Sequence, residues 1–162
     1  MKLPHNRLMV DRHGRLTLDG VNLSQLADEY GTPLYVISEG RLRENYRQIA
    51  EAFRKHYPSS AEIAYAVKAN YTLAIIRVFA LEGAWAETFS GPELRMALMA
   101  GAPPQRIVLT GMNRGEREFL DALEAGVALI VVDSASELGR LEKAAEKAKV
   151  RAPILLRVNP EI

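Results

Sequence analysis

From residue 62 onward, five apolar segments follow one another: EIAYAVK, AWAETFS, RIVLTG, ALIVVDS and PILLRVN. Each carries a polar residue at or near its end. These residues are Lys68, Glu87, Thr110, Asp133 and Arg157, at intervals of 19, 23, 23 and 24. Stretches of helical periodicity fill the intervals, near residues 72–82, 91–100, 115–125 and 135–149. Strand followed by helix, repeated without interruption, constrains the fold more than any other feature. Parallel neighbouring strands need a long crossover, and that crossover is right-handed. The rhythm predicts an α/β fold, as either an open doubly wound sheet or a (β/α)8 barrel of the TIM type. No Gly-rich phosphate loop follows the first of these strands, which counts against a dinucleotide-binding sheet. Polar groups at successive C-terminal strand ends are what the active face of a barrel carries.

Five strands are about five of the eight that a barrel needs. The chain stops at NPEI, directly after PILLRVN, and an apolar parallel strand at an edge is normally covered. The expectation is therefore a portion of a longer chain. The first forty residues have another texture. GRLTL alternates as a strand does, Asp19-Gly20 marks a turn, and NLSQLADEYG reads as a short helix ended by Gly31. TPLYVIS is rich in β-formers and reads as a strand. Leu42, Tyr46, Ile49, Ala50 and Phe53 then make one face of a helix between Arg41 and Tyr57.

Composition narrows the partners. Lys plus Arg number 21 against 20 Asp plus Glu, a net charge of +1, so nothing electrostatic favours nucleic acid or an anionic membrane. The absence of cysteine removes disulfides and thiolate metal sites. No apolar run reaches the length of a signal peptide or a spanning helix, so the expected compartment is the cytoplasm.

Lys68 is the first candidate for chemistry. A lysine amine attacks aldehydes when burial or a neighbouring charge leaves it partly neutral, whereas a lysine with its head in solvent needs no special role. Arg157, apolar on both sides, needs an anionic or acceptor partner if buried; a carboxylate such as Glu87 or an oxygen of a bound cofactor would serve. Structural pairing, or an outward orientation, is the competing reading. Glu87 and Asp133 are acids on the same supposed face, and either could hold the Lys68 ammonium or that of a substrate. Ser90-Gly91-Pro92-Glu93 and Ser134-Ala135-Ser136-Glu137 read as capping boxes explained by helix starts alone. His5, His13 and His56 lack metal-ligand spacing and read as surface residues, and Trp85 reads as core.

Taken together, YAVKAN, the upstream GTPLYVISEGRLRENYRQIAEAF and the later SGPEL, VVDSASEL and LLRVNP occur in one register. In order and spacing they resemble the pyridoxal-phosphate decarboxylases with an alanine-racemase-like barrel, and within them the diaminopimelate decarboxylase branch. The resemblance runs from about Gly14 to the last residue. It implies that Lys68 anchors pyridoxal 5'-phosphate covalently and that Arg157 lies beside the cofactor ring. It also implies that Glu87 stands where the family has an aspartate, with the charge kept and the arm lengthened. The implied reaction converts meso-diaminopimelate to L-lysine and carbon dioxide, the last step of lysine synthesis. On the same resemblance, residues 1–39 contribute strands to a second, β-rich domain, and 40–162 form an incomplete cofactor-binding barrel. The family's phosphate site, its acid facing the pyridine nitrogen, its cysteine and a substrate-contacting tyrosine all follow the end of this chain. The intact protein would be a homodimer acting on a small amino acid. A sister decarboxylase for ornithine, arginine or a carboxylated polyamine such as carboxynorspermidine is the alternative enzyme, and an inactive remnant or interaction protein the alternative without activity.

Overall fold

The computed structural model of the chain describes residues 7–160; His5 and the final Glu161-Ile162 lie outside them. The first elements form a small antiparallel sheet of β1 (Leu8–Val10), β2 (Leu16–Leu18) and β3 (Val21–Asn22), in that order. Asp19 (φ 51°) and Gly20 (φ 82°) close the β2–β3 hairpin, with both turn residues in the positive-φ region that a two-residue turn of this hand demands. Asn22 then caps α1 (Leu23–Tyr30), its side chain accepting from the N–H groups of Ser24 and Gln25.

The predicted strand TPLYVIS is not one. Residues 34–38 belong to no strand or helix, and Leu34, Tyr35, Val36 and Ile37 are all exposed. β-propensity describes how a residue fits a pleated surface, and here no neighbouring strand supplies that surface. Helix α2 (Glu39–His56) follows, capped by Ser38. Tyr46 meets Phe79 edge-on at 6.5 Å, and Arg43 and Arg47 both bind Glu82 at 2.6 Å. Ile49 and Phe53, on the expected apolar face, remain about half exposed.

The remainder alternates as expected. It runs β4 (Ala64–Ala66), α3 (Leu73–Leu81), β5 (Trp85–Thr88), α4 (Gly91–Met99), β6 (Ile107–Leu109), α5 (Glu116–Ala125), β7 (Leu129–Val132), α6 (Ala135–Ala148) and β8 (Ile154–Leu156). All five strands are parallel and lie in the order of the sequence. That order decides between the two candidate architectures. A doubly wound sheet reverses direction at a switch point, whereas a barrel adds each strand beyond the last.

Burial alternates accordingly. Ala86, Thr88, Ile107, Leu109, Ile130 and Val132 are buried under the helices, with Leu94, Phe119, Leu123 and Leu141 packed in the same core. Trp85, Glu87, Val108, Leu129 and Val131 point to the other face and are only partly buried. Trp85 is therefore not a core residue, because it has the same strand parity as Glu87. The sheet is an arc of a (β/α)8 barrel, with helices outside and an open inner face.

Candidate functional site

The rim at the C-terminal strand ends is built by short connections. The chain leaves β4 through a single 3-10 turn, Val67–Ala69, so Lys68 sits on that turn rather than on the strand. Val67 is fully buried and fixes one side of the turn. The Tyr65 hydroxyl donates to the Asn70 carbonyl at 2.9 Å and closes the other, while the Tyr65 ring stacks on Phe79 at 4.3 Å. Burial of that ring raises the Tyr65 hydroxyl above its ordinary value, against the opposing effect of the Asn70 contact. The Lys68 side chain itself is 57% exposed.

Two groups meet the Lys68 amine. Glu87 Oε1 lies 3.8 Å from Nζ, and the Phe89 ring centre lies 5.4 Å from it. Both attract a cation. The register explains the meeting, since Ala66 pairs with Glu87 and Lys68 lies two residues beyond Ala66. On the far side of Glu87, the Thr110 hydroxyl donates to the same Oε1. The Thr110 backbone N–H donates to the Thr88 carbonyl at 2.7 Å. The next residue, Gly111, has φ 99°, and a Cβ there would come within 2.1 Å of the Phe89 carbonyl oxygen. Only glycine lets the loop after β6 pass so close to the end of β5.

The other two strand-end residues take different paths. Arg157 follows β8, and its backbone N–H continues the ladder to the Val132 carbonyl at 2.9 Å. Its guanidinium is exposed and has no hydrogen bond or ion pair among the described residues. It is not paired with Glu87, whose partners are Lys68 and Thr110. The two lie on strands separated by β6 and β7 in the sheet order. Asp133 likewise does not approach Lys68. It belongs with Glu137, whose hydrogen bond raises the Asp133 carboxyl above its usual range.

The capping boxes are correct in one half. Ser90 and Ser134 accept from the N–H groups of Glu93 and Glu137, as N-caps should. Neither glutamate returns to its own cap residue. Glu93 accepts from the Phe89 N–H at 2.8 Å, one residue earlier, and so helps to hold the ring beside Lys68. Glu137 is buried and binds Arg114 at 3.0 Å, with the Arg114 backbone N–H donating to it at 3.1 Å. Desolvation pushes the Glu137 carboxyl up, but the hydrogen bonds from Arg114 outweigh it and hold the group down at about 2. Arg114 also donates to the Leu109 and Val131 carbonyls, and so ties the loop after β6 to β7 and α6.

The sequence pattern places Thr110 among the strand-end polar residues without a partner, and points to no role for Tyr65, Phe89 or Arg114. A signal for Arg114 was present: it stands four residues after Thr110, as Glu137 stands four after Asp133, one repeat later. His13 and His56 are exposed as expected, and no cluster of metal-ligating side chains occurs among the described residues. A cavity of about 760 Å³ lies between α2 and the opposite end of β4, lined by Tyr46, Phe53, Tyr57 and Ile63, and contains none of the candidate residues.

Residues 40–162 match the family described as pyridoxal-dependent decarboxylase, pyridoxal binding domain. The chain is 40% identical over 158 residues to a diaminopimelate decarboxylase of Aquifex aeolicus, covering 98% of this chain and 36% of that one. It is 46% identical over 151 residues to one of Methanothermobacter thermautotrophicus, covering 93% and 34%. It superposes on the crystal structure of diaminopimelate decarboxylase from M. jannaschii in complex with L-lysine with a TM-score of 0.89 at 34% identity, covering 99% of this chain and 38% of that one. The chain thus spans about a third of the length of the curated relatives it matches.

Proposed function

The chain belongs to the pyridoxal-dependent decarboxylases, and on that premise we propose that it supplies the cofactor-anchoring part of a diaminopimelate decarboxylase. The intact protein would take meso-diaminopimelate to L-lysine and carbon dioxide. The observation that carries this reading is the exposed Lys68 amine, held on a rigid turn at the strand ends beside Glu87. The donor set suits an aldehyde-bearing, anionic aromatic cofactor. It offers a primary amine for the aldehyde, a guanidinium at Arg157 with no partner among the described residues, and an aromatic face at Phe89.

In this reading Lys68 holds pyridoxal 5'-phosphate covalently, Arg157 binds an anionic oxygen of it, and Glu87 serves the Lys68 amine. When bound, the cofactor supplies an electron sink for the pair left behind as the carboxyl group departs. Lys68 must lose a proton before Nζ can attack an aldehyde carbon. Its exposure lets water carry that proton away, and Glu87 Oε1, 3.8 Å from Nζ, is the carboxylate that faces the amine. Beneath them Trp85, Val108, Leu129 and Val131 line the inner face with partly buried apolar side chains.

Residues 1–39 fit the same reading as part of a second, β-rich domain. The described part of them, residues 7–39, shares no strand with the five-stranded sheet. A cytoplasmic homodimer is the working form that the family likeness supports. Among the described residues no helix is long and apolar enough to cross a membrane.

The test is carbon dioxide release by the intact protein, loaded with pyridoxal phosphate, from meso-diaminopimelate, ornithine, arginine and carboxynorspermidine in parallel. Turnover of meso-diaminopimelate at the highest kcat/KM is expected. Preference for another of the four would move the protein to a sister decarboxylase, and release from none would overturn the reading.

A further inference from the structure

One carboxylate oxygen joins two contacts at the rim. Glu87 Oε1 faces the Lys68 amine at 3.8 Å and also accepts the hydroxyl hydrogen of Thr110. The geometry points to Thr110 as a positioning residue that acts through Glu87: its hydroxyl fixes this oxygen toward Lys68 and so sets how readily the lysine amine reacts. The inference rests on the proposed function only for the use made of Lys68; the contact itself is independent of it.

Glu87 needs such a support. Its side chain has three rotatable bonds and is 21% exposed, so an unheld carboxylate would sample several rotamers. Thr110 has a single side-chain torsion and a pinned backbone, with its N–H bonded to the Thr88 carbonyl at 2.7 Å. Strand parity puts the hydroxyl on the correct face. Val108 pairs with Glu87 across β5 and β6, and Thr110 lies two residues beyond Val108. Lys68 lies two residues beyond Ala66, which pairs with Glu87 from the other side. Glu87 therefore stands between a lysine and a threonine that both overhang it by one strand step.

The hydroxyl has one other acceptor within reach, the Thr88 carbonyl at 3.3 Å, and that oxygen already accepts the Thr110 N–H. A carboxylate is the better acceptor, because a hydrogen bond to a charged group is the stronger one.

The experiment is trace acetylation of the intact protein without cofactor, at fixed neutral pH, with the Lys68 peptide quantified by mass spectrometry. Thr110→Val keeps the shape of the side chain and removes its hydrogen bond. With the carboxylate released, Lys68 loses its ionic partner, and its labelling should rise about two- to fivefold, the range for a partly exposed ion pair. Thr110→Ser should label as the wild type does. Glu87→Gln should raise labelling by a similar factor, and adding Thr110→Val to it should change nothing more. Labelling that is unchanged or lowered in Thr110→Val overturns the inference, as does an undiminished effect in the Glu87→Gln background. Thr110→Ala gives the same reading if valine is not tolerated. The functional proposal fails separately: pyridoxal phosphate that does not attach to wild-type Lys68 would sink it and leave the labelling result standing.

Discussion

Arg114 and Glu137 carry full and opposite charges where neither side chain is more than 2% exposed, so each depends on the other for its place in the core. Breaking such a pair on one side leaves an uncompensated buried charge. Glu137→Gln should therefore destabilise the protein by about 3 kcal/mol near neutral pH. The pH dependence follows from the sign of the shift. The Glu137 carboxyl is held at about 2 against an ordinary 4.5, so its stabilisation is complete above the ordinary value and is lost as pH falls toward the lower one. Asp133 is shifted the other way by its hydrogen bond to Glu137 and works against this effect. Thermal melts of wild type and Glu137→Gln should differ widely at pH 6 and converge near pH 2. An equal gap at both would contradict the assignment. Neither role follows from local pattern, because Ser-x-x-Glu carries a strong local meaning and the partner lies 23 residues earlier in sequence. Local pattern located the N-cap; only the assembled sheet brings Arg114 under the helix that starts there.

At the scale of elements, the four helices after β4 fall within two residues of their expected spans, since amphipathic periodicity and capping residues mark helices in the chain itself. Strands were harder. Each is shorter than its apolar segment, because pairing stops where the chain bends toward the next helix. Lys68 leaves β4 for this reason. TPLYVIS failed completely, since no sequence property reveals whether a partner strand is present. The caps should be separable by mutation. Ser90→Ala should cost about 1 kcal/mol, measured by urea denaturation, through loss of the hydrogen bond to the Glu93 N–H. Gly111→Ala should cost more, about 2 kcal/mol or above, because it adds an unfavourable φ to a collision with the Phe89 carbonyl. It should also disturb the ring beside Lys68. A Gly111→Ala protein as stable as wild type would mean that the approach of these two loops is not close.

Across the whole molecule, the strand order and the uncovered inner face belong to one architecture; the spacing of five polar residues predicts the strand–helix alternation but leaves an open sheet and a barrel as alternatives. What spacing alone could not supply was which of the five come together. Lys68, Glu87 and Thr110 do, being neighbours across adjacent strands; Asp133 and Arg157 do not. Large apolar side chains are exposed on three surfaces: Leu34 to Ile37, Ile49 and Phe53 on α2, and Ile154 to Leu156 on β8. Exposed apolar surface in such patches drives association. The 162-residue chain alone should therefore self-associate in sedimentation experiments and bind a hydrophobic dye, with little or no decarboxylation. A monodisperse, fully active monomer would contradict this. The central claim, that Lys68 anchors the cofactor, is tested most directly by reducing the intact protein with borohydride in the presence of pyridoxal phosphate and mapping the labelled peptide. The account predicts stoichiometric pyridoxyl label on Lys68 and none in Lys68→Ala; label on another residue, or on none, would contradict it.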